Sequence, residues 1–328
     1  MNHRLNRREF LSGTALASAG AVIAGQISSA SAAEAQTTPS AKVIPGSKGT
    51  MPAGKIGGLT ISRLISGGNL ISGWAHSRDL HYVPSLMRAY NTEEKILDTL
   101  QLLEEQGVNT IIADPRKNVM NVFSRYWKER GGKIQWIAEG HPDIDDWKTN
   151  LKQSIDFGAV AVYIQGVKSD YFLKEGHGEL LGKCVDFIKS LGVPGGIGAH
   201  KLEVIMESEK NNYGADFYVK TLHHTKYWST RRPDQTQDVV DNGADNYWDF
   251  DPEKTIAFMQ TVKKPWIAFK VLAAGAIQPS SGFPFAFENG ADFICVGMFD
   301  FQVEKNAKLA REVIQNTQGK NRKRGWMA

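Results

Sequence analysis

Lys220 and Lys270 each sit inside an apolar run that reads as a buried strand, "ADFYVKTL" and "WIAFKVLAAG". Burial disfavours the charged form of a lysine and two neighbouring ammonium groups repel, so one of the pair is expected to be a free amine near neutral pH. A free amine attacks a carbonyl carbon and gives an iminium, which draws electrons from an adjacent C–C or C–H bond. Such chemistry needs proton donors and acceptors. Asp114, Glu139 and His200 qualify, since each is the polar residue closing another apolar run. Asn69 and Gln165 close two more and are expected to hydrogen-bond a substrate.

The elements that would bring these residues together follow from hydrophobic patterning. From residue 61 onward short apolar runs alternate with amphipathic stretches about eight times: "ISRLISGGN", "NTIIAD", "IQWIAE", "AVAVYIQ", "PGGIGAH", "ADFYVKTL", "WIAFKVLAAG" and "ADFICVGM". The stretch 92–107 predicts a helix, with Thr92 as N-cap, Ile96, Leu100 and Leu103 at helical spacing and Gly107 past the end. Repeated strand–helix units over this length predict a single-domain (β/α)₈ barrel, a TIM barrel. Strand residues alternate between two faces. Counting back by twos from each closing polar residue gives an inward set: Gly67 and Asn69, Ile112 and Asp114, Ile137 and Glu139, Tyr163 and Gln165, Gly198 and His200, Tyr218 and Lys220, Ala268 and Lys270. The opposite parity, with Val162, Ile164, Phe269 and Val271, is expected to face the helices. The polar set would then meet at the C-terminal mouth, where barrels of this kind carry their active sites. A competing expectation makes the same charges structural, pairing Lys220 with Asp114 and Lys270 with Glu139 across the barrel.

The strand-six and strand-seven segments resemble class I aldolases of the deoxyribose-phosphate aldolase type, over roughly residues 213–297. The resemblance implies a Schiff base on Lys220 with Lys270 beside it. The chain departs from that pattern after Thr221, where Leu222, His223 and His224 replace small residues, and after strand eight, where Met298 and Phe299 replace a phosphate cradle. An unphosphorylated substrate is therefore expected. "LTISRLISGGNLISG" and "LDTLQLLEEQGVNTIIAD" resemble the start of aldo-keto reductases, also barrels, and the whole chain resembles an exported barrel family related to them. That resemblance implies a role for Asp114. The rest of the reductase set is replaced, with Val119 for the tyrosine, Glu139 for the lysine and Gln165 for the histidine.

No cofactor is predicted, although Asp114, Glu139, His141, His200 and His223 leave a divalent metal open for isomerase or hydrolase chemistry. A non-catalytic sugar-binding barrel is the reading from a different class. Two long loops would cover the mouth. They carry His76 and Arg78 after strand one and His223, Tyr227 and Trp228 after strand six, all expected to bind substrate, with Trp74, His81, Arg231 and Trp248 nearby.

The first 32 residues read as an export signal: Arg7-Arg8 followed by Phe10-Leu11, an apolar run broken by Gly and Ser, then Ala30-Ser31-Ala32. Twin-arginine export to the periplasm or medium is expected, with 33–52 a flexible leader, 53–328 the barrel and no stable membrane span. Removing the signal lowers the net charge from +4 to +2, which gives no reason to expect a nucleic-acid partner. The terminal "KNRKR" (320–324) is expected to be a solvated tail. Cys184 and Cys295 are too few for a disulfide framework and are expected to be small buried hydrophobes. These readings converge on an exported barrel enzyme of lyase or aldolase type acting on a small polar or sugar-derived carbonyl. Its oligomeric state is not legible.

Overall fold

The computed structural model describes residues 42–77, 80–237, 248–317 and 322–328. Its strands are β1 (Ala53–Ile56), β2 (Leu59–Ser62), β3 (Leu64–Gly67), β4 (Thr110–Ala113), β5 (Gln135–Gly140), β6 (Ala161–Ile164), β7 (Gly195–Ala199), β8 (Phe217–Thr221), β9 (Trp266–Phe269) and β10 (Phe293–Gly297). The helices are α1 (Asn69–Ser72), α2 (Val83–Tyr90), α3 (Glu93–Glu105), α4 (Lys117–Arg125), α5 (Thr149–Phe157), α6 (Gly166–Lys174), α7 (Glu179–Ser190), α8 (Leu202–Lys210), α9 (Pro252–Met259), α10 (Pro279–Glu288) and α11 (Asp300–Thr317). Strands β3 to β10 form a closed, parallel, eight-stranded barrel, sealed where β10 pairs with β3. The fold is the (β/α)₈ barrel expected from the alternation. The helix α3 begins as its sequence requires: the Thr92 hydroxyl accepts from the Lys95 amide, and Gly107 beyond its end takes φ +80°.

Side-chain alternation divides the apolar residues into two cores. Between barrel and helices lie residues such as Leu64, Ile111, Trp136, Val162, Ile197, Tyr218, Trp266 and Ala268. Inside the barrel lie Ile65, Ile112, Ile137, Ala161, Tyr163, Phe217, Val219, Ile267 and Phe293. The aromatic rings fit there because β7 is nearly bare: a Cβ at Gly196 would come within 2.6 Å of the Phe217 ring, and one at Gly198 within 2.7 Å of the Tyr163 ring. This corrects the parity expected for two strands. On β8 it is Phe217 and Val219 that point inward, and on β9 it is Ile267 and Phe269, so Tyr218, Lys220 and Ala268 start from the helix-facing side.

Three further features depart from expectation. The first apolar run divides into β2 and β3, and β2 pairs antiparallel with β1 across Gly57-Gly58. Gly-Gly between two short apolar segments is a hairpin signal. This hairpin adds Ile56 and Ile61 to the inner core. Part of the supposed leader is also docked. Val43 and Met51 are buried, and the amides of Gly46 and Lys48 donate to the carbonyls of Glu104 and Glu105 at the end of α3. Residues 1–41, with the export signal and the rest of the leader, lie outside the described residues. Among the described residues no helix is long and apolar enough to cross a membrane.

In the basic segment near the C-terminus, Arg322 and Arg324 are likewise docked and not solvated. Asp292, ahead of β10, is fully buried and accepts from Arg322 Nη2 at 3.1 Å, Arg324 Nη1 at 2.7 Å, the Met327 amide at 2.8 Å and the Trp266 amide at 2.9 Å. Arg63 and Arg322 each place a guanidinium 3.7 Å from the Trp326 ring. A buried carboxylate needs such partners. Deleting residues 322–328 would strand it, and the expected cost is about 3–5 kcal/mol. Urea denaturation of the shortened chain measures this.

Candidate active site

Polar residues meet at the C-terminal ends of the strands, and Lys270 is the one whose placement departs most from strand alternation. It follows the last residue of β9, and by strand alternation it would point outward after Phe269. Its backbone instead takes φ +56°, a left-handed conformation that costs about 1–2 kcal/mol in a residue with a Cβ. Ala273 and Ala274, close behind, are also left-handed. The reversal carries the amine back over the mouth, where its Nζ lies 3.2 Å from His76 Nε2 and senses the charges of Glu139 and Asp170. Burial lowers the ammonium pKa from 10.5 to about 7, against the pull of those two carboxylates.

His223 holds the reversal in place. Its Nδ1–H donates to the Lys270 carbonyl at 3.0 Å, while Nε2 accepts from the Asp249 amide at 2.9 Å and the Tyr227 hydroxyl at 3.2 Å. The partners define a neutral tautomer, and burial pushes the ring pKa down to about 3. With both nitrogens engaged, His223 ties the loop to the bend at Lys270.

Glu139, at the inward end of β5, accepts a hydrogen bond from Tyr163. Burial, and then the charge of Asp114, raise its carboxyl to about 7, with Lys270 acting in the opposite sense. A carboxyl and an amine poised near the same pH suit proton transfer. His200, closing β7, is buried and gives its Nδ1–H to Asp170 Oδ2 at 2.8 Å. Asp170 also accepts from the amides of His200 and Lys201. The pairing leaves the His200 Nε2 lone pair as the basic position, and burial keeps the ring neutral to lower pH than usual.

Asp114 takes Trp74 Nε1–H at 3.1 Å and Arg116 Nε at 2.8 Å on one oxygen, Oδ2. The Arg116 guanidinium also stacks 4.2 Å from the Trp74 ring, so both residues fix the carboxylate.

Lys220 starts from the other side of the barrel wall, although its charge is still sensed by His200 and His223. It pairs in register with Ala199 and Ala268, both helix-facing, and its fully buried Nζ lies 3.6 Å from Asp249 Oδ1. Burial raises the Asp249 carboxyl to about 6 against the opposing effect of Lys220. The barrel wall therefore separates the bases of the two lysines, so the side-by-side pair of amines expected from strand parity is not formed, and Lys220 is engaged by Asp249. The alternative pairing of Lys220 with Asp114 fails as well.

Of the other expected residues, Gln165 caps α6 by accepting from the Lys168 amide at 3.3 Å. Asn69 opens α1, and its side chain makes no hydrogen bond among the described residues. Tyr227 reaches the site through His223, Trp228 is 83% exposed, and Arg78 lies outside the described residues. The five possible metal ligands do not converge, since among the described residues no three His, Cys, Asp or Glu side chains could hold one ion. Sequence reasoning missed Asp170, Arg116 and Asp249. Each is a charge whose partner is distant or set by a loop, and only Asp170 had a local signal, an acidic residue on a buried helix face.

No family model matches the chain, and no curated protein matches it. Among solved structures it is similar to a candidate aldo-keto reductase from Pseudomonas aeruginosa, at 14% identity and TM-score 0.54, over 80% of this chain and 96% of that one. It is also similar to a truncated 3-deoxy-D-arabino-heptulosonate 7-phosphate synthase from Thermotoga maritima, at 14% identity and TM-score 0.46, over 82% and 91%. A spore coat polysaccharide biosynthesis protein from Bacillus subtilis follows at 10% identity and TM-score 0.48, over 84% and 76%. At these identities the likeness is one of fold. Val119, which stands where the reductase tyrosine is expected, is fully buried and offers no hydroxyl to the mouth.

The placement of Lys220 is checked by stability. Lys220→Met leaves Asp249 buried without its cation and is expected to cost about 3–5 kcal/mol. The double variant Lys220→Met/Asp249→Leu should recover most of that loss in urea denaturation.

Proposed function

We propose that this chain is an enzyme of aldolase type, which forms a Schiff base between Lys270 and a small, unphosphorylated, polar carbonyl compound. The observation that carries the reading is the left-handed turn at Lys270, which spends backbone energy to bring an amine of lowered pKa beside Glu139 and His76. The neutral amine adds to the carbonyl carbon, and protonated Glu139 gives the resulting hydroxyl a proton so that it leaves as water. The iminium then accepts the electron pair of the neighbouring C–C bond as it breaks. His200 Nε2 takes the proton from the hydroxyl on the departing carbon, which leaves as an aldehyde or ketone. Protonation of the enamine and addition of water to the regenerated iminium free the second product and Lys270.

Export fits this reading, because an unphosphorylated substrate suits an enzyme working outside the cytoplasm, and Arg7-Arg8 with Ala30-Ser31-Ala32 would provide the signal.

Borohydride added with glyceraldehyde or pyruvate is expected to leave a stable adduct on Lys270 and none on Lys220, read by peptide mass spectrometry. An adduct-free Lys270 across such carbonyls overturns the reading. The rate of trapping should rise through pH about 7 as Lys270 loses its proton and fall above it as Glu139 loses its own. Glu139→Gln should be slower throughout and lack the alkaline fall.

Lys270 also has a stability signature. Its pKa is near 7 when folded and 10.5 when unfolded, so between those values the unfolded chain holds the extra proton and wild-type stability rises with pH. Lys270→Met is therefore expected to be more stable than wild type by about 1–2 kcal/mol at pH 7, a margin that shrinks toward pH 10.5.

A further inference from the structure

Asp114 presents its two oxygens to different surroundings. Oδ2 is saturated by Trp74 and Arg116, whereas Oδ1 has no hydrogen-bond partner among the described residues and faces His141 Nε2 at 4.0 Å. That ring nitrogen is itself buried and without a hydrogen-bond partner. Neither atom is loosely placed. Asp114 is clamped as described above, and His141 follows β5 with its amide donating to Asn150 Oδ1 at 2.7 Å. A separation of 4.0 Å is too long for a direct hydrogen bond, yet one oxygen atom can lie about 2.8 Å from both.

With the ring proton on Nε2, a group set between the two atoms donates to the carboxylate oxygen and accepts from the ring N–H. A second carboxylate would meet Oδ1 with like charge, and an apolar group would leave both atoms unsatisfied. A hydroxyl meets both demands. Arg116 balances the charge of Asp114, so the pair suits an uncharged ligand. It opens on the same mouth as the amine, since Glu139 senses both Asp114 and Lys270.

We propose that Asp114 Oδ1 and His141 Nε2 form a hydroxyl-binding subsite, and that the compound taken by Lys270 is a neutral hydroxy-carbonyl of sugar type. The assignment of the carbonyl rests on the Schiff-base reading; the hydroxyl subsite rests on the orphaned pair alone.

Two measurements separate them. Borohydride trapping at Lys270 with glyceraldehyde and with propanal, equal in carbon number, is expected to favour glyceraldehyde about 10- to 100-fold, as for a site built to pair a hydroxyl. His141→Phe should bring that ratio down at least tenfold, and an unchanged ratio overturns the subsite while leaving Lys270 as the amine. In the Lys270→Met protein, which cannot form the imine, glycerol or erythritol should still shift the ¹⁵N resonance of the His141 ring. A shift without trapping in the wild type keeps the subsite and overturns the amine. No shift means that only water bridges the pair, and the subsite falls.

Discussion

The hydrogen bond from His223 Nδ1 to the Lys270 carbonyl, at 3.0 Å, is the constraint on which the site depends. Strand alternation alone would have sent Lys270 to the helix side, next to Ala268 and Val271 in the outer core. A left-handed residue at the strand end reverses the chain direction, and a histidine with both nitrogens engaged ties that bend to the strand-six loop. Backbone strain of this kind persists only where surrounding structure over-determines it. Positioning of the amine is thus distributed over β9, the loop after β8 and Asp249, whose other role is to hold Lys220 behind the wall.

Around the amine, charges are arranged in matched sets. Arg116 answers Asp114, His200 leans on Asp170, and Lys220 answers Asp249. Each set gives a buried carboxylate a partner it would otherwise lack, although Asp249 Oδ2 remains without a hydrogen bond among the described residues. Lys270 and Glu139 then act on one another across the mouth, both displaced toward neutrality by burial. Tyr163 beneath Glu139, seated in the space left by Gly198, closes the polar layer against the apolar interior.

Much of this was legible in the chain itself. Eight apolar runs with helical stretches between them sufficed for the barrel, and the polar residues closing β4, β5 and β7 pointed to Asp114, Glu139 and His200. Parity failed at β8 and β9 for a definite reason: counting from the last polar residue assumes that a buried charge faces the interior. Lys220 breaks that assumption because a loop carboxylate, Asp249, pairs with it on the helix side. Lys270 satisfies it only through a dihedral angle that no propensity of lysine would foretell. Arg322 and Arg324 likewise read as solvated because their partner, Asp292, lies about thirty residues earlier. Local pattern reports which residues are buried; it does not report which charge meets which.

The seam of the barrel carries a kinetic consequence. Strand β10 lies beside β3, with Ile294 opposite Leu64, so closure joins segments some 230 residues apart in the chain. Closing such a long loop sacrifices entropy before any contact is gained, and topologies rich in remote pairings fold slowly. Until the seam forms, β3 and β10 each present an unpaired edge. The Asp292 cluster, next to that junction, ties the chain's final turns to it, so the last step of folding would zip the barrel shut and lock it together.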